Sequence, residues 1–484
     1  MNDPAVQATR TLLIEALAAA PDADTNAPDL PTMFTPSSHR LALDPDVTVV
    51  RGARGTGKTF WARALTDPAL REVAAKSYMM PRLDRTKVIT AFGGIDPVLG
   101  GKRTVTDLVK AGFKPRDLWS AVILMALGQP EVRELETWAE RIEWTQQNGE
   151  KYEAALRRVD RETREQKQTL ILLFDTLDHL HSDRRQLDLL LAGLFEVALE
   201  LRLTTGTLRA KIFVRPDMYE SAPRDFADAS KLGANATDLS WSRENLYGLL
   251  FHQLGNHASK QTQAFRASTG VWREEGPGRF IAPVDLIADQ KRQEEVFVML
   301  AGPFMGTDRR KGHTYTWVPN HLQDGLGLVS PRTWLRTLFH SAQRTSDKWV
   351  NHPLPLHYDA IRESLSYSAK VRLEELQDDI GWAALTIEHL SGTQVPMEPS
   401  AVRYAWNSSG LQAKIKELVQ GTDHGSGPRG LDSTGSIDFD EVMRELLALG
   451  VMTKRTNGAL DLPDIYRLAS QIARKGGVAR KPVS

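Results

Sequence analysis

The sequence contains no cysteine, no excess of either charge and no long apolar run. Without cysteine the protein cannot form disulfides, use a thiolate nucleophile, or bind zinc or an iron–sulfur cluster through thiolates. The 61 basic residues match the 61 acidic ones, so bulk charge does not point to nucleic acid or to a membrane surface. The absence of cysteine favours a reducing compartment, and we expect a cytoplasmic protein.

Membrane and metal signals are also missing. No segment approaches the roughly 18 uncharged apolar residues that a membrane span requires. The apolar N-terminal stretch LLIEAL is interrupted by Glu15 and lacks the basic region and cleavage site of a signal peptide. The histidines show no metal-ligand spacing, so we predict no zinc site. Because no segment is long and apolar enough to span a bilayer, we also predict no membrane partner.

What the sequence does contain is an alternation of apolar runs and helical stretches. Residues 47–50 (VTVV), 170–174 (LILLF) and 210–214 (AKIFV) are candidate strands. Buried strands that alternate with helices predict an α/β fold with a parallel sheet covered by helices on both faces. The charged segment 131–168 is more typical of a solvated helix than of a binding surface.

The chain is too long for one ordinary hydrophobic core, so several domains are expected. We predict an N-terminal helix and linker (1–34), a core of strands and helices (35–235), a helical lid and helical region (236–420), a flexible linker (421–436) and a small C-terminal domain (437–484). This last segment has a helix followed by two short strands around Asn457-Gly458, a hairpin signal. Helix followed by hairpin is how a winged-helix domain ends.

A phosphate-binding motif follows the first candidate strand. The segment GARGTGKT matches G-x-x-x-x-G-K-[ST], in which backbone amides surround phosphates, Lys58 reaches the β and γ oxygens and Thr59 binds magnesium. We expect a fold of the P-loop NTPase type that binds ATP and Mg2+. The predicted nucleotide contacts are Gly52, Ala53, Arg54, Gly55, Thr56, Gly57, Lys58, Thr59 and Phe60.

Acidic residues follow the second candidate strand. Asp175 ends the run LILLF and is the predicted second magnesium ligand; a turn aspartate that caps a strand would look the same. Asp178 lies three residues further on and either orients the attacking water or caps a helix. The candidate catalytic residues are Lys58, Asp175 and Asp178, together with Arg215, which follows the third candidate strand.

Two arginines are candidate sensors of the nucleotide. Arg215 follows the third candidate strand, where it either senses the γ-phosphate or pairs with Asp217 on the surface. Arg332 lies in SPRTWL at the start of a predicted helix, from which it could contact the nucleotide. By itself the second arginine is a weak signal.

Together the segments GARGTGKT, LILLFDTLDHL, KIFVRPDMYES, LSWS and SPRTWL resemble those of bacterial AAA+/STAND-type P-loop ATPases, over residues 35–345 and more loosely over 437–484. The resemblance implies an ATPase core, a helical lid and a C-terminal winged helix that act as a molecular switch or motor. By position it assigns phosphate and magnesium to Lys58 and Thr59, magnesium to Asp175, and sensor roles to Arg215 and Arg332.

The sequence departs from this pattern where hydrolysis is activated. Thr176 follows the magnesium aspartate where many such ATPases have glutamate, and His179 replaces the glutamate of D-x-x-D-E. Slow hydrolysis, which suits a switch, and hydrolysis completed by an arginine of a neighbouring subunit both remain open.

Two function classes follow. The first is a nucleotide-driven switch ATPase that assembles with itself or with a partner protein, in bacterial signalling or anti-phage defence by resemblance alone. The second is a DNA-binding ATPase of the loader or initiator type. Its candidate phosphate contacts are the basic residues Lys454, Arg455, Arg474, Lys475, Arg480 and Lys481, which a solvated chain end would also explain.

Overall fold

Residues 3–18, 28–93, 98–421, 427–432 and 434–475 are described by the structure, a computed structural model. The chain divides into two units. Residues 23–240 form the first, here called the sheet unit, and residues 1–22 with 241–484 form the second, the helical unit. The first helix of the chain, α1 (Pro4–Ala18), therefore belongs to the helical unit.

Five parallel strands form the sheet of the sheet unit, in the order β2-β3-β4-β1-β5. They are β1 (Val49–Arg51), β2 (Thr86–Phe92), β3 (Thr169–Phe174), β4 (Leu208–Val214) and β5 (Ala236–Asp238). The predicted α/β class and parallel sheet are confirmed, and β1, β3 and β4 overlap the three predicted runs. The sequence analysis missed β2 and β5, which are the two edges of the sheet and carry fewer fully buried side chains.

Helices flank these strands along the chain. They are α2 (Arg40–Leu43), α3 (Lys58–Thr66), α4 (Pro68–Ser77), α5 (Pro81–Asp84), α6 (Lys102–Lys110), α7 (Pro115–Ala126), α8 (Pro130–Arg133), α9 (Trp138–Gln147), α10 (Gly149–Glu165), α11 (Arg184–Thr204), α12 (Pro216–Ser221) and α13 (Ser230–Ala234). The charged segment 131–168 contains α9 and α10, and α10 buries one apolar stripe that includes Tyr152 and Leu156.

Helices cover both faces of the sheet, as predicted. Val49 and Leu172 lie in an apolar cluster with residues of α7 and α11, whereas Val50 and Leu173 lie in another with residues of α3 and α4. Successive strand residues thus pack against opposite layers, because side chains alternate along a strand. The central strands are therefore mostly apolar, with Lys211 of β4 as a buried exception.

The helical unit contains most of the remaining elements. Its helices are α1, α14 (Arg243–Asn256), α15 (Thr262–Thr269), α16 (Val284–Ala288), α17 (Gln290–Ala301), α18 (Thr314–Leu322), α19 (Pro331–Lys348), α20 (Tyr358–Asp379), α21 (Gly381–Glu388), α22 (Pro399–Ser408), α23 (Leu411–Gly421), α24 (Phe439–Ala448) and α25 (Asp464–Arg467). Its strands are β6 (Arg273–Gly276), β7 (Arg279–Ile281), β8 (Gln394–Val395), β9 (Thr453–Lys454), β10 (Leu460–Asp461) and β11 (Ala473–Arg474).

The predicted C-terminal hairpin is present. Strands β9 and β10 pair antiparallel on either side of Asn457-Gly458, and α24 precedes them. Strand β11 pairs with β8, so β8 is also part of this C-terminal region. The winged-helix assignment and the predicted boundaries stay predictions. Parts of the two predicted linkers, residues 19–27, 422–426 and 433, lie outside the described residues, as do Arg480 and Lys481.

Helix α1 is anchored in the helical unit by a buried arginine. The guanidinium of Arg10, 1% exposed, donates hydrogen bonds to the carbonyl oxygens of Pro355 (2.9 Å), Leu354 (3.0 Å) and Val350 (3.2 Å). Helix α1 also packs along α19. In the described part of the chain no helix has the length and apolar character of a membrane span.

A buried lysine connects β4 to the chain that enters β1. Lys211 is fully buried, and its ammonium donates hydrogen bonds to the carbonyl oxygens of Ala42 (3.1 Å), Asp44 (2.6 Å) and Val47 (2.5 Å). These carbonyl groups belong to the turn that leads into β1, so Lys211 fixes the position at which the strand begins. Buried carbonyl groups need such donors, because an unpaired one costs free energy.

We expect Lys211→Met to lower the free energy of unfolding by about 2–4 kcal/mol, since three buried carbonyl oxygens lose their donor. The matched control is Lys231→Met, because Lys231 is 51% exposed and pairs only with Asp228 at the surface. Urea denaturation followed by circular dichroism measures both variants. Equal stability of the Lys211 variant and the wild type would contradict the anchoring role.

Candidate functional site

The phosphate-binding motif forms a loop between β1 and α3, the predicted order of strand, loop and helix. The loop is closed by the hydroxyl of Thr56, which donates to the carbonyl oxygen of Ala53 (2.8 Å). Gly52 is required at its start, since a Cβ there would lie 2.5 Å from the Thr56 Oγ1. Backbone amides of such a loop and of the following helix N-terminus form a concave site for anions.

Lys58, the first residue of α3, directs its side chain back over this loop. Its Nζ donates hydrogen bonds to the carbonyl oxygens of Gly52 (2.8 Å) and Ala53 (3.1 Å). A positive charge therefore lies on the loop, where its amides and the helix N-terminus also favour anions. This is the position that the motif predicts for the lysine of a phosphate site.

Asp175 follows β3 and is the central acidic group of the site. It is 3% exposed, and burial raises the pKa of its carboxyl to about 6, against the lowering effects of the Thr176 backbone, the Lys58 charge and a Thr59 hydrogen bond. Its Oδ1 is buried and has no hydrogen-bond partner among the residues that the structure describes. A buried carboxylate oxygen without a partner is costly, unless a bound cation or water satisfies it.

The donor set fits magnesium. The hydroxyl of Thr59 and the carboxylate of Asp175 lie within hydrogen-bonding distance of each other, and both are hard oxygen ligands of the kind that Mg2+ prefers. Within the described ranges there is no cluster of three or more His, Asp or Glu side chains that could hold a metal by itself. Magnesium here would therefore share its ligands with phosphate oxygens, as in other phosphate-loop sites.

A glycine that sequence reasoning missed makes room for Asp175. Gly93 ends β2 with φ +83°, and a Cβ there would lie 2.3 Å from the Asp175 carbonyl oxygen. Phe92 accepts a hydrogen bond from the Asp175 amide (3.0 Å). The sequence signal was the run TKVITAF followed by Gly-Gly. This pattern indicates a strand that ends where another part of the backbone passes close by.

Asp178 lies near Asp175 in the 3-10 turn Leu177–His179. Its side chain is exposed, and its charge contributes to the raised pKa of Asp175. The next helix, α11, is capped by Asp183, which accepts from the Gln186 amide (2.9 Å), so Asp178 does not cap it. The water-activating role of Asp178 stays a prediction.

The sequence left open a pairing of Arg215 with Asp217 on the surface. The structure contains this pairing, but Arg215 is buried. It is 9% exposed, and its Nε and Nη2 contact the two Asp217 oxygens at 2.9 and 3.0 Å. Arg184 contacts the same carboxylate at 3.0 Å. Both arginines hold the pKa of Asp217 well below its usual range despite burial. The sensor role of Arg215 stays a prediction.

A second unpredicted contact fixes the helix of the phosphate loop. Trp61 of α3 is buried and donates from Nε1 to the Nδ1 of His39 (2.9 Å). Burial lowers the pKa of His39 to about 4, so the imidazole is neutral at pH 7. Its Nε2 carries the proton and bonds the Ser240 carbonyl oxygen (3.1 Å). The neutral His39 imidazole therefore joins α3 to Ser240, and these two residues lie near the two chain ends of the 23–240 segment.

Arg51, the last residue of β1, is held beside the loop. It pairs with Asp238 of β5 at 2.8 Å and with Glu220 at 3.7 Å. Its guanidinium also lies 5.1 Å from the centre of the Tyr219 ring. These contacts join β1 to β5 and α12 at the edge from which the phosphate loop emerges.

Arg332, the predicted lid residue, lies in the helical unit near the start of α19. It pairs with Glu375 of α20 at 3.7 Å, and Arg372 pairs with the same carboxylate at 3.1 Å. Its role at the nucleotide stays a prediction.

Two of the basic residues proposed to meet DNA are paired with acids. Arg455 contacts Asp461 at 2.6 Å, and Arg474 lies 3.6 Å from Asp461 and from Asp464. Lys454 and Lys475 are exposed. Pairing reduces the positive charge available to phosphates, so DNA contact through this region stays a prediction.

We expect Asp175→Asn to stabilise the protein in the absence of magnesium and nucleotide. At pH 7.5 the wild-type carboxyl is charged and buried, whereas asparagine is neutral with the same shape. The gain should be about 1–3 kcal/mol, measured by urea denaturation in EDTA.

The difference should shrink as the pH falls from 7.5 to 4. Because the folded pKa of about 6 exceeds the reference value of 3.8, the protonated form stabilises the fold fully below the unfolded pKa, and this contribution is lost as the pH rises through 6. Asp225→Asn, at an exposed position of the same unit that is not among the charges acting on Asp175, is the control. A destabilised Asp175 variant at pH 7.5 would show that the carboxylate is well solvated.

No protein-family model matches this chain, and no curated protein matches its sequence. Solved structures with some likeness include the ORC2 protein of Aeropyrum pernix in ADPNP-ADP complexes (TM-score 0.37, 15% identity, 88% of this chain and 86% of that chain) and in an ADP form (0.33, 14%, 94% and 93%). Another is Cdc6p from Pyrobaculum aerophilum (0.30, 14%, 88% and 86%). Likeness at this level carries no conclusion about family or activity, and the fold assignment rests on the sheet itself.

Proposed function

We propose that this protein is a magnesium-dependent P-loop ATPase that acts as a nucleotide-driven switch. The observation that carries the proposal is the buried Asp175 carboxylate with an unpartnered oxygen, beside Thr59 and Lys58 of the loop. A carboxylate kept out of water next to a lysine and a hydroxyl is costly unless the site binds something that uses it. A magnesium-bound triphosphate uses all three groups at once.

Each residue has a role in this proposal. Lys58 exchanges its two carbonyl contacts for the β and γ oxygens, and the loop amides bind the same anion. Thr59 and Asp175 would hold magnesium, whose positive charge would offset the negative charge of the triphosphate. Binding of the cation compensates the desolvation of Asp175, so ligand and protein stabilise each other. Adenine is favoured over guanine because the sequence lacks an N-K-x-D motif.

Hydrolysis in this proposal is slow. Thr176 cannot act as a general base, and Asp178 is exposed in the turn that follows, where water competes for its oxygens. Arg215 is held by Asp217 through two of its atoms, which lowers the positive charge that it can offer to the triphosphate. A long-lived bound state suits a switch whose nucleotide sets its conformation. We propose self-assembly or a partner protein as the output, of the kind that AAA+/STAND ATPases of bacterial signalling and anti-phage systems use.

The test is nucleotide binding and particle mass measured together. We expect Lys58→Ala to weaken binding of a fluorescent ATP analogue by about tenfold to a hundredfold, which corresponds to the loss of a charged hydrogen bond. EDTA should weaken wild-type binding as well. Lys76→Ala is the control, because Lys76 is exposed in the same unit and lies in α4, where it pairs with Glu72 one turn earlier.

Light scattering with ATP, ADP or no nucleotide then tests the switch. We expect the mass to grow with ATP for the wild type and Lys76→Ala, and not for Lys58→Ala. Binding that is unaffected by Lys58→Ala would overturn the site. A mass that changes only when a short DNA duplex is added would replace the switch by a DNA-binding ATPase.

A further inference from the structure

Residues 349–357, which connect α19 to α20, form a loop that also holds α1. This segment, here called the histidine loop, accepts the guanidinium of Arg10 on three of its backbone carbonyl oxygens. Helix α1 packs along α19 and buries an apolar stripe that includes Leu13 and Ala16. Attachment of α1 therefore depends in part on the conformation in which the histidine loop presents its carbonyl groups.

His357, the last residue of the histidine loop, is the N-cap of α20. Its Nδ1 accepts a hydrogen bond from the Asp359 amide (3.0 Å), and its own amide donates to the buried Oγ1 of Thr345 (3.0 Å). A ring nitrogen that accepts such a bond carries no proton, so the imidazole is the neutral tautomer protonated at Nε2. An imidazolium has two donors and no acceptor, so protonation at Nδ1 breaks the cap.

The same ring packs against both other aromatic side chains of the histidine loop. His357 stacks on Trp349, the first residue of the loop, with ring centroids 4.5 Å apart and planes 4° from parallel. His352, in the middle of the loop, meets the His357 ring with centroids 4.5 Å apart at an angle of 70°. Two adjacent imidazole rings therefore hold together the segment that binds Arg10.

The charges around the two rings oppose their protonation. Burial lowers the pKa of His352, and the charges of His357 and Arg10 lower it further. Burial also lowers the pKa of His357, with Asp359 acting against this effect and Arg362 adding to it. A positive ring at the N-terminus of the 22-residue helix α20 is opposed by the helix dipole as well.

The groups that favour a positive ring already have other partners. Asp359 pairs with Arg362 at 2.8 Å, and Glu363 pairs with Lys348 at 2.9 Å. The face of the Trp349 ring attracts cations, but Lys348 lies 5.7 Å from its centre. Because both folded pKa values lie below the reference value of 6.5, the neutral rings stabilise the loop above pH 6.5. This contribution is lost as the pH falls through the folded values.

We propose that the histidine loop is a pH-sensitive attachment site, which releases Arg10 and helix α1 when His352 and His357 are protonated. The first proton on His357 removes the cap of α20, and a second positive ring beside it repels both His357 and Arg10. The loop then opens, its carbonyl groups no longer converge on the guanidinium, and the apolar stripe of α1 is exposed. All of these groups belong to the helical unit, so the proposal does not depend on the proposed ATPase activity.

The test uses the absence of native cysteine. Ala16→Cys places a single thiol on the buried side of α1, where Ala16 is 6% exposed, and its labelling by an aromatic disulfide that reacts in acid is timed from pH 7.5 to 5.0. Each rate is divided by that of Ala5→Cys, at an exposed position of the same helix, which removes the pH dependence of the reagent. We expect the ratio to rise about tenfold or more as the pH falls, a change that corresponds to one unit of pKa difference.

Replacement of the histidines separates protonation from structure. His357→Asn keeps an N-cap acceptor but binds no proton. Combined with His352→Asn, it should leave the ratio within about twofold of its pH 7.5 value over the whole range, and each single replacement should at least halve the response. His389→Asn is the control, because His389 bonds Ser409 outside the histidine loop, and it should keep the full response.

A second thiol distinguishes release of α1 from unfolding of the helical unit. Ala383 is fully buried in α21, which follows the other end of α20, about 33 Å along that helix. Labelling of Ala383→Cys should stay slow at every pH at which Ala16→Cys becomes reactive. A parallel rise at both positions would show general unfolding and overturn the proposal. A ratio that does not change in the wild-type background, or a rise that persists in the double histidine variant, would overturn it as well.

Discussion

The site of the sheet unit is arranged around a carboxylate held out of water. Asp175 stands where the central strand β3 meets the phosphate loop, and burial raises the pKa of its carboxyl to about 6. The neighbours that lower this cost, Lys58 and Thr59, come from the loop on which a phosphate would lie. Gly93 allows the chain to pass close behind it. Because the remaining oxygen of the carboxylate is unpaired, the site is arranged around a group that a cation would complete.

Two other buried polar groups around the site, Lys211 and His39, are by contrast hydrogen-bonded. Lys211 donates to three backbone carbonyl groups, and His39 uses both ring nitrogens, one for Trp61 and one for Ser240. These satisfied contacts fix the start of β1 and the first turn of α3, the two elements that hold the loop. A site that keeps one group unsatisfied needs rigid supports of this kind, since strain or desolvation persists only where the surroundings hold it.

The helical unit shows the same contrast on a smaller scale. Arg10 satisfies carbonyl groups and anchors α1, and the hydroxyls of Thr337, Ser341 and Ser368 are paired along the contact of α19 with α20. Ser364 of α20 keeps a buried hydroxyl without a hydrogen-bond partner among the described residues.

The sequence by itself determined the parts of the fold that depend on local patterns. The central strands β1, β3 and β4 are mostly apolar because both of their faces are covered. The glycines and the lysine of the phosphate loop follow from what a loop around phosphates requires. The edge strands β2 and β5 were missed because exposure on one side allows polar residues. The C-terminal hairpin was found from the Asn457-Gly458 turn, whose positive φ is a local requirement.

Only the tertiary structure decided which distant groups meet. The contact of Arg184 with Asp217, the contact of His39 with Trp61 and the approach of Gly93 to Asp175 depend on packing between elements far apart in the chain. The physical reason is that residue type and spacing specify local conformation, whereas burial, pairing and pKa arise from neighbours that folding brings together.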